Sequence, residues 1–267
     1  VETVRRALEI GLTGLEVTRV SGRSVMMRRP LDVPLIASRT EGRCFSTPRR
    51  RGKYLLMDFE GGGSLLVHLG MSGKLLLGEK DQPRPKHTHL VLSLSGGRDL
   101  RFVDPRRFGF AVWLNPGEER VDPSLRALGI EPLDPNLDEV LPPLLHARRS
   151  PVKSLILDQR LIAGVGNIYA AEALWRAGIR PTREGCRTSQ VRLHRLMVEI
   201  RTVLREAIDQ GGTTLRDYAT PDGNAGYFKV ELNVYGRAGE PCSECGSTLK
   251  NTPIAGRATV WCPHCQR

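Results

Sequence analysis

Cys242-Ser243-Glu244-Cys245 and Cys262-Pro263-His264-Cys265 stand at the end of the chain, two CxxC pairs separated by Gly246 to Trp261. Two residues between cysteines let both sulfurs of a knuckle reach one tetrahedral metal at about 2.3 Å. Two disulfides would be the other use of four cysteines, and they belong to an oxidising compartment. The stretch Val1-Glu2-Thr3-Val4-Arg5-Arg6 is charged and has no apolar segment of the kind a secretory signal needs. No apolar run approaches the roughly 18 residues that span a bilayer. We therefore expect a cytoplasmic protein in which the four cysteines hold one structural Zn2+. Four thiolates leave no open coordination position, so this metal holds shape and does no chemistry. His264 reads as a bystander, and Cys44 and Cys186 as core or surface thiols. Gly256 to Trp261 reads as a turn leading into a strand, which would put Arg257 at the tip of a metal-pinned hairpin.

Upstream of this module the pattern is helical. Leu193, Leu196, Met197, Ile200, Leu204, Ala207 and Ile208 form one apolar stripe. Thr188 or Ser189 is placed to cap it, and Gly211-Gly212 to end it. Before it, Ala163-Gly164-Val165-Gly166-Asn167 precedes another helical run. Glycines at a helix start expose backbone N–H groups to an anion, and the helix dipole favours the same charge. Asn167 is placed to cap that helix or to donate its side-chain amide, and Lys153 adds a cation on the approach. A plain tight turn between packed helices would read the same way. Val121 to Pro143, rich in Pro, Asp and Leu, reads as a linker with short helices.

The first half of the chain is β-type after an opening helical face of Val1, Val4 and Leu8. Lys53 to Phe59 and Ser64 to Leu69 flank Gly61-Gly62-Gly63 as a hairpin. Leu90, Leu92 and Leu94 alternate before Gly96-Gly97, and Leu100 and Phe102 resume the alternation. Repeated hairpins imply a β-sandwich or barrel. The fold class is α+β and multidomain: a β domain over 1–125, a linker and helical domain over 126–229, and a zinc finger over 230–267.

Lys and Arg number 40 against 29 Asp and Glu, a net charge of +11. A polyanion is the partner that charge implies, and a nucleic acid before others. Arg49 to Arg51 read as a solvated basic loop, with Lys53 held at a strand start behind them. Met71, between glycines at a hairpin tip, and Arg106 and Phe108, beside a turn, combine into an apolar and cationic wedge. Enzymes that act on a base extrude it, and a wedge fills the space it leaves in the stack.

Together these motifs resemble formamidopyrimidine-DNA glycosylase. The resemblance runs from Val1-Glu2-Thr3-Val4-Arg5-Arg6 through HLGMSG (68–73), DPRRFG (104–109), LDQRLIAGVGNIYA (157–170), PDGNAGYF (221–228) and VYGR (234–237) to the four cysteines, in the family's order. It implies a β-sandwich, a helix-two-turn-helix domain and a zinc finger, with double-stranded DNA in the cleft between. It also implies a monomeric bacterial enzyme of the nucleoid that excises oxidised purines and nicks the strand by β- and δ-elimination. By resemblance, Lys53 contacts the backbone near the lesion and donates a proton in β-elimination. Met71, Arg106 and Phe108 fill the void and wedge the strand, with Arg106 facing the orphaned cytosine. His87 and Arg148 contact DNA and Asn167 binds phosphate, while Lys153 is counted with the DNA contacts for its place on the approach to the Asn167 turn. Arg257 grips phosphates at the flipped nucleotide and serves δ-elimination. Thr213 to Tyr227 covers the extruded base.

One departure stands out. The family's nucleophile is an N-terminal proline followed by glutamate, and the matching pattern here begins at Val1, five residues later. Glu2 matches a later position and is not that glutamate. A natural start upstream of Val1 is the preferred explanation, a variant without lyase chemistry the other. As given, the chain is expected to bind lesion DNA but to cleave it poorly, which borohydride trapping on an 8-oxoguanine duplex would test. The rival readings are an endonuclease VIII-like pyrimidine glycosylase and a non-catalytic lesion-binding protein.

Overall fold

The computed structural model describes residues 1–211 and 232–267. Val1–Arg126 form one compact unit, and Ala127–Gln210 with 232–267 form another. The stretch Thr213 to Tyr227 lies outside the described residues.

The first unit opens with α1 (Glu2–Leu12), which buries Val4, Leu8 and Leu12 at helical spacing. Then come β1 (Val17–Gly22), the short β2 (Val25–Met26) and β3 (Pro30–Leu31), and α2 (Val33–Thr40), capped by the Asp32 carboxylate accepting the Leu35 N–H. The strands that follow are β4 (Arg49–Arg51), β5 (Tyr54–Asp58), β6 (Ser64–His68), β7 (Lys74–Glu79), β8 (Thr88–Leu94), β9 (Arg98–Val103) and β10 (Phe110–Leu114). They make two four-stranded antiparallel sheets, ordered β1-β8-β9-β7 and β10-β6-β5-β4. Between them lie Leu8, Leu12, Leu55, Leu65, Leu77, Leu92, Leu100 and Phe102. Both glycine turns predicted from sequence are present: β5 meets β6 across Gly61–Gly63, and β8 meets β9 across Gly96-Gly97.

Two readings of this region change. Arg49–Arg51 is a paired strand rather than a solvated loop. Arg49 bonds Asp58 at 2.6 Å and Glu119 at 2.5 Å, and Arg50 bonds Glu2 at 3.1 Å. These partners lie up to 70 residues away in sequence, so local reading could not supply them. Lys53 does not open the strand. It is the second residue of the Gly52-Lys53 turn, since Arg51 pairs with Tyr54. Gly52 takes φ 55°, which favours glycine there.

In the second unit, α3 (Leu137–His146) starts inside the stretch predicted as a linker and buries Leu137, Leu141 and Leu145 despite Pro142 and Pro143. Next are α4 (Val152–Leu157), α5 (Asn167–Arg176) and α6 (Gln190–Asp209). The apolar stripe of α6 is buried at Leu193, Leu196, Met197, Ile200 and Ala207. Ser189 occupies the cap position but makes no side-chain cap bond. The Thr188 hydroxyl donates to the Glu184 carbonyl at 2.9 Å instead. The two-stranded β11 (Lys250–Asn251) and β12 (Val260–Trp261) complete the unit. α5 is its spine: Ala171 and Trp175 pack against Val234, Cys242, Leu249 and Val260. The buried Glu172 carboxylate accepts the N–H groups of Asn233, Val234 and Tyr235 at 2.9 to 3.0 Å.

Candidate functional site

The sulfurs of Cys242, Cys245, Cys262 and Cys265 all lie within 4.8 Å of one another. Cys242 and Cys265 are 4.0 Å apart, and Cys245 and Cys262 3.5 Å. Zinc with bonds of about 2.3 Å sets tetrahedral sulfurs roughly 3.8 Å apart, so the donor set fits that ion. The separations are far beyond the roughly 2.05 Å of a disulfide. His264 is not in the cluster.

This cluster stands behind a fingertip. Ile254 and Arg257 pair across Ala255-Gly256, both with positive φ (50° and 70°), the two-residue hairpin turn that matches strand twist. Arg257 is exposed at its end. The next residue, Ala258, is held from α4 and α5: its carbonyl accepts the Asn167 amide at 3.1 Å and Lys153 Nζ at 3.4 Å, and Lys153 also donates to Thr259 Oγ1 at 2.6 Å. Asn167 Oδ1 is buried with no hydrogen-bond partner among the described residues. Asn167 is the first residue of α5 and does not cap it; Gly166 holds the cap position. The preceding turn is pinned by Gln159, which accepts Gly164 N–H at 2.8 Å and donates to the Val165 carbonyl at 3.0 Å. Lys153 is fully buried rather than on an open approach. Burial, and then the Arg257 charge, lower its pKa to about 8. The sequence put Lys153 beside the Asn167 turn but read it as a cation on an open approach, and it did not join Arg257 to them; Asn167 and Lys153 both reach the carbonyl of Ala258, the residue after Arg257. Arg148 stands apart from these bonds, donating to the Leu144 carbonyl at 2.5 Å.

In the first unit Met71 is 69% exposed and Phe108 46%. The Arg106 guanidinium lies 4.7 Å over the Phe108 ring. The two turns touch through glycine: a Cβ on Gly70 would lie 2.6 Å from the Gly109 nitrogen and the Phe108 carbonyl carbon. His87 is exposed with φ 67°, on the loop before β8.

Sequence reading missed His68. Its partner across the sheet is Tyr54, next to Lys53, and the two rings lie 4.9 Å apart. Nδ1 accepts the Gly70 N–H at 3.1 Å. Burial, then the charges of Arg28 and Lys53, push its pKa down to about 4. The ring is therefore neutral at pH 7 and its proton sits on Nε2, an uncharged donor close to Lys53. The histidine stands first in HLGMSG, and the run of buried strand residues before it was the signal available.

Comparison with known proteins covers the same ground. Residues 1–111 match the formamidopyrimidine-DNA glycosylase N-terminal domain, and residues 128–219 the formamidopyrimidine-DNA glycosylase H2TH domain. Residues 239–267 match the zinc finger found in FPG and IleRS. The chain is 48% identical over its whole length to formamidopyrimidine-DNA glycosylase of Stenotrophomonas maltophilia (strain R551-3), covering 98% of that protein. It is 47% identical to that of Xylella fastidiosa (strain 9a5c), covering 97%. The crystal structure of MutM (Fpg) from Thermus thermophilus superposes with a TM-score of 0.87 at 42% identity, over all of this chain and 97% of that one. Lactococcus lactis Fpg in complex with DNA containing an abasic site gives 0.90 at 32% identity with the same coverage. With three domain matches in order and relatives of this identity along its full length, the chain belongs to the formamidopyrimidine-DNA glycosylase family.

Proposed function

We propose that this chain, a DNA glycosylase of base excision repair, recognises oxidised purines such as 8-oxoguanine and formamidopyrimidines in duplex DNA by extruding the nucleotide, and serves the reaction that excises the base and opens the strand by β- and δ-elimination, a cleavage expected to be slow in the chain as given because the family's Pro-Glu pair is not in it. The observation that carries the reading is the exposed apolar pair on touching turns. A methionine left 69% exposed and a phenylalanine left 46% exposed on glycine-packed turns contribute less to folding than buried ones would. They gain a great deal if inserted where a base has left the stack.

In this reading Met71 fills the void, Phe108 wedges the strand, and Arg106 faces the orphaned cytosine. Lys53 contacts the backbone beside the lesion and donates the proton of β-elimination, with the neutral His68 beside it. Asn167 and Arg257 grip phosphates at the flipped nucleotide, and Arg257 serves δ-elimination. His87 and Arg148 add DNA contacts. Lys153 acts from behind the fingertip, through Ala258 and Thr259. One Zn2+ on Cys242, Cys245, Cys262 and Cys265 keeps the hairpin rigid and supplies no chemistry at the sugar. The protein acts as a monomer.

Duplexes carrying 8-oxoguanine, thymine glycol or no lesion test this. Tightest binding and fastest base release are expected for 8-oxoguanine. Preference for thymine glycol would move the chain to the endonuclease VIII reading, and equal handling of all three would overturn the proposal.

A further inference from the structure

Asp104 has no part in the function above, yet it is completely buried. Its carboxylate is divided between the two wedge turns. Oδ1 accepts the Ser72 hydroxyl at 2.8 Å and the Arg106 N–H at 3.3 Å, and Oδ2 accepts the Gly109 N–H at 2.8 Å. Ser72 directly follows Met71, while Arg106 and Gly109 bracket Phe108. The main chain of the same residue reaches the third loop. Its N–H donates to the His87 carbonyl at 3.1 Å, and its carbonyl accepts from His89 Nε2 at 2.9 Å. A second feature agrees: Gly109 packs so closely that a Cβ there would lie 2.5 Å from the His68 carbonyl oxygen and 3.2 Å from Asp104 Oδ2.

Burying a carboxylate costs free energy that an apolar side chain of similar size would not, and the hydrogen bonds that offset part of this cost also fix the groups that make them. What these bonds fix is the spacing between Met71 on one turn and the stacked Arg106 and Phe108 on the other. Bases stack at about 3.4 Å along a strand. Two side chains that enter neighbouring gaps must therefore be set to well within that distance.

We infer that Asp104 is the positioning residue of the wedge: its carboxylate locks the Met71 turn to the Arg106–Phe108 turn so that filler and wedge enter the helix at one fixed spacing. The inference rests on the lesion-extrusion function proposed above. Asp104→Asn keeps the shape but turns one acceptor into a donor. The Ser72 hydroxyl can rotate to accept from the new amide, whereas the Arg106 and Gly109 N–H groups cannot. Ser72→Ala removes only the tie to the Met71 turn.

The test uses a duplex with 8-oxoguanine opposite cytosine and 2-aminopurine beside the lesion, whose fluorescence rises as the stack opens. The full chain is mixed with it in stopped flow. Both variants are expected to slow the lesion-dependent rise by about tenfold or more, since ~1 Å of misplacement costs ~10²-fold where geometry sets the rate. Ser72→Ala is expected to melt within a few degrees of the parent and to bind undamaged duplex within about threefold of it, because charge carries that binding. Ser72→Ala also decides the matter if Asp104→Asn fails to fold. A rise at the parent's rate in Ser72→Ala overturns the inference, as does a loss of undamaged-duplex affinity in step with the loss of unstacking. If the parent itself gives no lesion-dependent rise, the proposed function is what has failed.

Discussion

Lys153 shows how far a residue's role depends on what lies above it. Its ammonium is buried, bonded to neutral oxygens, and close to a second cation, Arg257. Its pKa is lowered from 10.5 to about 8, so the unfolded chain binds more protons than the native one between those values. Stability contributed at this site therefore rises with pH across that window and is lowest below pH 8. Measured from pH 7.5 to 10, the Tm of the parent should gain on that of Lys153→Met; a constant difference would refute the burial. The same substitution should weaken lesion binding, because Ala258 and Thr259 lose the group that seats the fingertip. Arg106→Ala should reduce discrimination among the four opposite bases more than overall affinity, and equal losses against all four would count against its wedge role. At this scale the sequence was legible where chemistry is local and dark where it is not. The four cysteines announce themselves by spacing. The burial of Lys153, the tautomer of His68 and the bonds of Asp104 each depend on a neighbour brought in by the fold.

Among elements, the turns and one helix decide most. Gly70 has φ 64°, and its missing Cβ makes room for the Phe108 carbonyl carbon and the Gly109 nitrogen. Gly70→Ala should therefore cost about 2 kcal/mol or more in denaturant unfolding, with lesion discrimination lost in the fraction that folds. α5 carries Asn167 at one end and, along its length, Glu172, Ala171 and Trp175 against the zinc module. Glu172→Leu leaves buried N–H groups unpaired and should cost about 2–4 kcal/mol, read as a lower urea midpoint. Cys242→Ser should release zinc and unfold the finger, because a metal site of this kind is its own folding energy. Zinc content by metal analysis and loss of base excision check this; full activity in zinc-free protein would contradict it. The hairpins over 54–68 and 88–103 were legible because alternation and glycine pairs are local signals. Val121 to Pro143 reads as a linker with short helices, and α3 starts there as such a helix; its run past Pro142 and Pro143 was not legible, because the prolines mask what the buried leucines hold in place. Strand β4 was hidden for a similar reason: three consecutive arginines look solvated until Asp58, Glu119 and Glu2 are brought to them.

For the whole molecule, a net charge of +11 sets a general attraction to DNA that weakens steeply with salt. No described helix is long and apolar enough to cross a membrane. Charge alone holds damaged and undamaged duplex equally; under the proposed function the wedge turns and the fingertip tell them apart. The measurement that tests this most directly is the dissociation constant for one duplex with and without a single 8-oxoguanine, taken across a salt series. Both are expected to weaken with parallel slopes while the oxidised duplex stays tighter at every salt concentration. Equal affinity for the two throughout would contradict that.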